Sequence, residues 1–394
     1  MFYNKSNMDW LEKLSLLSQE TGLELDEESS GWREASPACY TARTFGVASR
    51  LLDHISYVTL RGGQKIPVLK VLLTSACEYD CAYCPFRAGR DFRRATFEPE
   101  ELARAFLQIY QAGLVKGLFL SSGVTGGGVR TQDRLIATAE ILRHRLGFQG
   151  YLHLKLMPGA EAAQVERAVA LASRVSINLE MPATYLQQLA PRKAPGSVLL
   201  QPLRQAYQAA QNLQSGPGHR RVSLSTQFVV GIGETDAELL RTTAYLYKQL
   251  GLSRVYYSAF HPIAQTPLED HSPENPVRAL RLYQASFLLR DYGFAFEELP
   301  LGSDGRLDLA VDPKTAWAQR YINHPLEVNR ASREELLRIP GIGPKSALAI
   351  IRARRLTRLR DLRQLRQLGV NVNRAAPYLL LDGRHPEQQL TFIF

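Results

Sequence analysis

Residues 67–84 read PVLKVLLTSACEYDCAYC, an apolar run that ends in a loop carrying Cys77, Cys81 and Cys84. The run 67–74 has the unbroken apolar character of a strand buried on both faces, as in a parallel sheet. The C-x3-C-x2-C spacing puts three thiols on one short loop, with Tyr83 just before the last. Three thiolates can hold three irons of a cubane and leave the fourth iron open, whereas electron-transfer clusters take four protein thiolates as a rule. A zinc knuckle is the alternative, but it needs a fourth Cys or His at short range. The next histidine downstream, His144, is far along the chain in a helix-like segment. An iron–sulfur loop is the first reading.

Working outward, β-rich runs alternate with helical patterns. Strand candidates follow at 117–121, 151–156, 175–179, 224–230 and 254–259, and amphipathic stretches at 98–112, 134–145, 162–172 and 237–249 separate them. Repeated β-then-α units imply a parallel sheet with right-handed crossovers. Six units fall short of a closed eightfold barrel. In parallel barrels the functional residues gather at the C-terminal strand ends. There the chain offers Ser121, Ser122 and Gly123, then Lys155, then Ser176, Asn178 and Glu180 on one face of a strand. Polar side chains inside a barrel cost free energy unless paired. They are read either as ligand contacts or as a structural hydrogen-bond network.

The cysteine spacing with its aromatic resembles the signature of the radical S-adenosylmethionine (radical SAM) enzymes. That resemblance implies an α/β fold built on a partial (β/α)6, TIM-like barrel. It also implies a 4Fe–4S cluster on Cys77, Cys81 and Cys84, with SAM chelating the open iron and cleaved by one electron to a 5′-deoxyadenosyl radical. An electron donor such as flavodoxin or ferredoxin is implied as a partner. By position in that family's pattern, Tyr83, Ser121, Ser122, Gly123, Lys155, Asn178 and Glu180 are the expected SAM-binding residues. Residues 226–235 resemble the family's adenine-packing segment, adding Gln227, Val230 and Gly231. Two features depart from the pattern. Serines stand where Gly-Gly-Glu is usual, and Gly126, Gly127 and Gly128 follow them. Lys155, Glu180 and Tyr257 are the catalytic candidates, with Tyr257 read as a radical-path residue, a stacking group or simply core.

The charge is unevenly placed. The net charge of +10 in 394 residues concentrates between residues 326 and 385, where 13 Lys/Arg face 5 Asp/Glu. That leaves 35 against 33 elsewhere, so a nearly neutral body carries a basic module, the footprint of a polyanion-binding attachment. Residues 85–94 add four arginines and two phenylalanines beside the cysteines, read as a phosphate guide or as a solvated loop. In the basic module, Ser332 and Glu335 form a capping-box pattern. The run Gly341-Ile342-Gly343-Pro344-Lys345-Ser346 resembles a helix-hairpin-helix motif. Such a turn exposes backbone N–H groups that hold a phosphate without sequence preference. A second copy lies 28 residues on, at Gly369-Val370-Asn371-Val372-Asn373-Arg374. There Asn371 replaces glycine and tolerates a left-handed backbone. Gly341, Gly343, Lys345, Ser346, Asn371 and Arg374 are therefore the expected DNA contacts. A helical module that binds protein is the alternative.

Over most of its length the chain resembles a group of uncharacterised radical SAM proteins with a C-terminal helix-hairpin-helix, to which the label DNA modification or repair is attached. The match is carried by residues 72–77, 117–124, 153–160, 189–193, 225–231, 255–260 and 311–350. The expected domains are an N-terminal extension (1–60), the barrel (61–310), a tandem helix-hairpin-helix module (311–385) and a tail (386–394). Three functions are open: a radical SAM enzyme acting on duplex DNA, the same chemistry on RNA, and a non-enzymatic DNA-binding iron–sulfur protein. The tail Gln389–Phe394 resembles a peptide that docks on the sliding clamp, or adds a strand to its own domain. Hydrophobic content of 45% and charged content of 22% are ordinary for a soluble protein. No apolar stretch reaches membrane-spanning length. With four cysteines, three of them in the loop and Cys39 left over as an idle thiol, a reducing, cytoplasmic compartment is expected.

Overall fold

The computed structural model describes residues 8–19, 55–60, 63–193, 195–216 and 220–386. Cys39 and the tail 389–394 lie outside the described residues. Two compact units result, Met1–Glu234 with Gln249–Asn275, and Thr235–Lys248 with Pro276–Phe394. Among the described residues, no helix is long and apolar enough to cross a membrane.

The first unit is built on one sheet whose strands lie in chain order: β1 (Ile55–Thr59), β2 (Lys65–Leu72), β3 (Gly117–Ser121), β4 (Tyr151–Lys155), β5 (Arg174–Ser176), β6 (Ser223–Val230) and β7 (Arg254–Ala259). β1 runs antiparallel to β2, and every later pair is parallel. Six parallel strands in sequence, with helices between them, make the partial (β/α)6 barrel. The helices of this unit are α1 (Trp10–Gln19), α2 (Pro99–Gln111), α3 (Gly127–Glu140), α4 (Ala162–Leu171), α5 (Ala183–Leu189) and α6 (Gln201–Ser215). α2 starts where the Glu101 carboxylate accepts from Glu98 N–H at 3.3 Å and Pro99 presets the first turn. It buries Leu102, Phe106 and Ile109, each contributing about 1.5–3 kcal/mol by leaving water.

Three local departures from the sequence pattern have physical causes. The helix expected at 134–145 begins at Gly127, because Gly126 turns the chain with φ +68, and its last turn loosens into a π-helical Ile141–Arg145. The strand expected at 175–179 leaves the ladder after Ser176. The Thr226 hydroxyl takes over there, accepting from Leu179 N–H (3.1 Å) and donating to Ile177 O (2.7 Å). The chain rejoins β6 at Glu180, whose φ is +67.

The second unit contains α7 (Asp236–Leu250), α8 (Pro276–Asp291), α9 (Pro313–Tyr321), and two helical hairpins. The hairpins pair α10 (Arg333–Arg338) with α11 (Pro344–Ala353), and α12 (Leu362–Gln367) with α13 (Val372–Ala375). Ser332 caps α10 and Asp361 caps α12. Leu336, Leu337, Ile342, Ile350, Leu365, Val370 and Val372 share one core. A short parallel pair, β8 (Leu326–Glu327) with β9 (Leu379–Leu380), ties its ends together.

Lys314 on α9 is buried, and its Nζ donates to Ile342 O (2.5 Å) in the first hairpin turn. Burial, helped by Arg374 and Arg338 and opposed by Asp312, pushes its pKa down to about 7. Between that value and the ordinary lysine range the unfolded chain binds a proton that the folded chain does not. Stability of this unit therefore rises with pH from about 7 upward and is lowest below it. Chemical denaturation of the wild type and of Lys314→Met across that range checks this. The pH-dependent rise should vanish in the variant.

Candidate functional site

A cavity of about 280 Å³ opens at the strand ends of the first unit, and all three loop cysteines line it. Ser121 reaches it from the end of β3, Lys155 from the end of β4, and Gln227 from β6. Ser122, Gly123, Asn178, Glu180 and Tyr83 also line it. Parallel topology explains the gathering, since each strand delivers its last inward residue to the same rim. Gly123 is required for the close approach of its backbone to Ala76 O, which a Cβ would strike.

Val230, Gly231 and Tyr257 are not among the lining residues. Alternation along β6 turns Gln227 and Val229 toward the cavity and Val230 away. Gly231 has φ +107, and its backbone instead approaches the Glu274 side chain. Tyr257 is fully buried and stacks with Phe228 (6.2 Å between ring centres), a core position.

A largely buried ion pair lines the same cavity as the cysteines. Lys193 Nζ donates to Glu180 Oε1 at 2.6 Å and to Tyr83 Oη at 3.1 Å. Burial works against the lysine charge, but the Glu180 carboxylate beside it leads the effects that outweigh burial and raise its pKa well above the usual range. Lys193 thus stays cationic beside the thiols. Sequence reading had not singled it out as a site residue, because its partner is fixed only by the left-handed turn at Glu180.

The donor set fits a cubane. Cys77, Cys81 and Cys84 are free thiols on one cavity wall. Burial is the main cause raising the pKa of Cys81 and, far more, of Cys84. Both stay neutral until a metal displaces their protons. Val124 N–H donates to Cys77 Sγ at 3.4 Å. Among the described residues no three His, Cys, Asp or Glu side chains surround a single metal ion. A cubane instead takes each thiolate on a different iron.

Among the arginines of 85–94, Arg94 is held inside the loop whereas Arg93 is exposed. Arg94 donates to Ser75 O, Phe86 O, Arg87 O and Arg90 O and lies 4.2 Å from the Phe92 ring centre. Arg90 bonds Pro85 O and Ala264 O, Arg87 bonds Asp80 O, and Arg93 pairs with Glu12. Arg87, Arg90 and Arg94 frame the cysteine loop.

A smaller cavity of about 40 Å³ shares Lys155, Asn178 and Gln227 with the first and is also lined by Lys70, His153 and Arg174. His153 is held neutral, chiefly by burial and then by Arg174, Lys155 and Lys70. Its Nε2 meets the Ser176 hydroxyl at 2.8 Å. Ser176 is therefore part of a hydrogen-bond network.

In the second unit the two hairpin turns lock together. Asn371 N–H donates to Gly341 O (3.0 Å), and Ser346 Oγ donates to Gly369 O (3.1 Å) while accepting from Gly343 N–H (3.3 Å). Gly341 needs its glycine, with φ +84 and a Cβ that would strike Asn371 O. Asn371 itself is not left-handed; its φ is −76 at the start of α13. The position it shares with Gly343 (φ −102) is a helix N-cap, which needs no positive φ. Lys345 is exposed beside the first turn. Ser346 is buried, and Arg374 is engaged with Asp312 (2.5 Å) and Thr315 (2.9 Å).

A family model described as "Helix-hairpin-helix motif" matches residues 326–353. An uncharacterised protein of Methanocaldococcus jannaschii is 24% identical over 272 residues, covering 66% of this chain and 63% of that protein. The chain thus spans a little under two thirds of that relative's length. Among solved structures, the FeFe-hydrogenase maturase HydG from Carboxydothermus hydrogenoformans is similar with a TM-score of 0.46 and 16% identity, over 57% of this chain and 51% of HydG. Methylornithine synthase PylB is similar with a TM-score of 0.46 and 16% identity, over 72% of this chain and 76% of PylB.

Proposed function

We propose that the protein is a radical SAM enzyme acting on nucleic acid, with duplex DNA as the first candidate and modification or repair as the class of reaction. The observation that carries this reading is that three cysteines from one loop share a single cavity with the polar strand ends. A structural or redox-sensing cluster needs no such cavity. When bound, the cluster and SAM would supply one-electron cleavage of the sulfonium and a hydrogen-abstracting radical. The chain's own residues bind and orient. Lys155 offers a cation to a carboxylate or phosphate, Ser121 and Ser122 offer hydroxyls, and Asn178 and Gln227 offer amides. Glu180, tied to Lys193, offers its remaining acceptor capacity to ribose hydroxyls.

The hairpin unit fits a duplex backbone. Its first turn presents the start of α11 with Lys345 exposed there, a geometry suited to one phosphate, although the Gly343 N–H itself is taken by Ser346 Oγ. A reducing cytoplasm and a flavodoxin- or ferredoxin-type electron donor follow from the same reading. A clamp-docking role for residues 389–394 rests on their sequence alone, with a strand added to its own domain as the alternative.

The test is anaerobic incubation of reconstituted protein with SAM and a reductant, followed by chromatography for 5′-deoxyadenosine. Its formation is expected. Its absence with an intact cluster would favour the non-enzymatic reading. Affinities for duplex DNA and structured RNA at matched salt then separate the two substrates.

A further inference from the structure

Glu78, the residue after Cys77, joins the cysteine loop to the glycine-rich turn that opens α3. Its N–H donates to Val124 O at 2.8 Å. Its carboxylate accepts from Gly126 N–H at 2.9 Å and from Gly127 N–H at 3.0 Å. Both glycines have positive φ, +68 and +87, and their N–H groups converge on the carboxylate. The site is the N-terminus of a 14-residue helix, where a negative charge is stabilised by exposed N–H groups and the helix dipole. The chain fills that anion site with its own side chain.

The ring closes at the sulfur. Val124, gripped through its carbonyl by the main-chain N–H of Glu78, turns its N–H onto Cys77 Sγ at 3.4 Å, while the Glu78 carboxylate fixes the next part of the turn at Gly126 and Gly127. Gly128 packs so tightly on Pro158 O that a Cβ would strike it. This holds the far side of the turn. Residues 124–127 thus have one seat against 77–78, and the departure from the family pattern at the three glycines is matched by a carboxylate that needs it.

We propose that Glu78 is a positioning residue that sets the reduction potential of a cluster on Cys77, Cys81 and Cys84 by holding the Val124 N–H on the Cys77 sulfur. The inference rests on the iron–sulfur reading above. Hydrogen bonds to cluster sulfurs help set cluster potentials. An N–H on a thiolate stabilises the more negative, reduced state. Loss of the carboxylate's two hydrogen bonds frees the turn and lengthens that bond, which leaves the cluster harder to reduce than the loss of its charge alone would make it.

The test uses full-length reconstituted protein and an EPR-monitored redox titration, with iron per chain and thermal midpoint measured alongside. Glu78→Ala and Glu78→Gln both remove a negative charge near the cluster, which alone makes it easier to reduce, so the hydrogen-bond effect is read between the two neutral variants. Glu78→Ala should titrate at more negative potential than Glu78→Gln, which keeps one acceptor oxygen for the turn. A purely structural role would lower the thermal midpoint and leave the two variants at one potential. If the two variants titrate together, the inference is overturned. If Glu78→Ala fails to fold, Glu78→Asp, which keeps the charge but is one methylene too short to hold both N–H groups, should titrate more negative than the wild type, and an unmoved potential overturns the inference. A wild-type chain that takes up no cluster would overturn the iron–sulfur reading itself, and this inference with it.

Discussion

After anaerobic reconstitution, Cys77→Ala, Cys81→Ala and Cys84→Ala are each expected to lose the cluster, whereas the wild type holds about four irons per chain. The effect should be close to complete. With one thiolate gone, two ligands remain on a loop whose other cavity neighbours are Tyr79, Tyr83 and Phe86, none of them an iron–sulfur ligand. No fourth cysteine stands by among the described residues. The fold itself should survive, because the loop is framed by Arg94 on four carbonyls and by Ala82 N–H on Leu189 O, not by the sulfurs. Iron and sulfide analysis beside far-ultraviolet circular dichroism separates lost ligation from lost structure. Cys39→Ala serves as the control and should keep its irons. A loop variant that retains a full cluster would remove that cysteine from the ligand set.

The second large effect concerns duplex binding. Lys345→Glu should weaken it by about tenfold at moderate salt, independently of base sequence, and lower the slope of log affinity against log salt by about 1. The side chain is exposed at the start of α11, so the substitution should not disturb the hairpin core. Arg374→Ala should do much less to binding, because its guanidinium is occupied by Asp312 and Thr315. Fluorescence anisotropy with one duplex at several salt concentrations reads both. Equal affinity of Lys345→Glu and wild type would move the nucleic-acid contact away from the first hairpin. Cutting the chain after Tyr321 would be a poorer test. Lys314 and Asp312 on that side bond Ile342 and Arg374 on the other, so the cut would damage the unit it leaves behind.

Much of the scaffold was legible in the chain because periodicity is a local signal. The strands at 117–121 and 254–259 have the expected limits, and the strand-end positions Ser121, Lys155 and Asn178 line one cavity. What was not legible depends on contacts made across the fold. The Lys193–Glu180 pair needs a left-handed turn at a non-glycine residue, which no local pattern announces. The Arg94 hub looked like charge in a loop, because carbonyl acceptors are invisible in side-chain composition. Gly126 and Gly127 read as a departure until Glu78 appeared between their N–H groups. Asn371 invited a left-handed assignment from its residue type, yet the hairpin asks only for an N-cap there. Val230 faces away from the cavity that Gln227 and Val229 line, because in a strand one residue reverses the face.

The most direct test of the central claim, a three-thiolate cluster with an iron left open for SAM, is the EPR spectrum of the reduced, reconstituted protein before and after SAM is added. A cluster with an exchangeable fourth ligand should give a spectrum that changes on addition of SAM, and Cys77→Ala should give no cluster signal at all. A reduced 4Fe–4S signal that SAM leaves unchanged would mean that all four irons are already held, and would contradict the account.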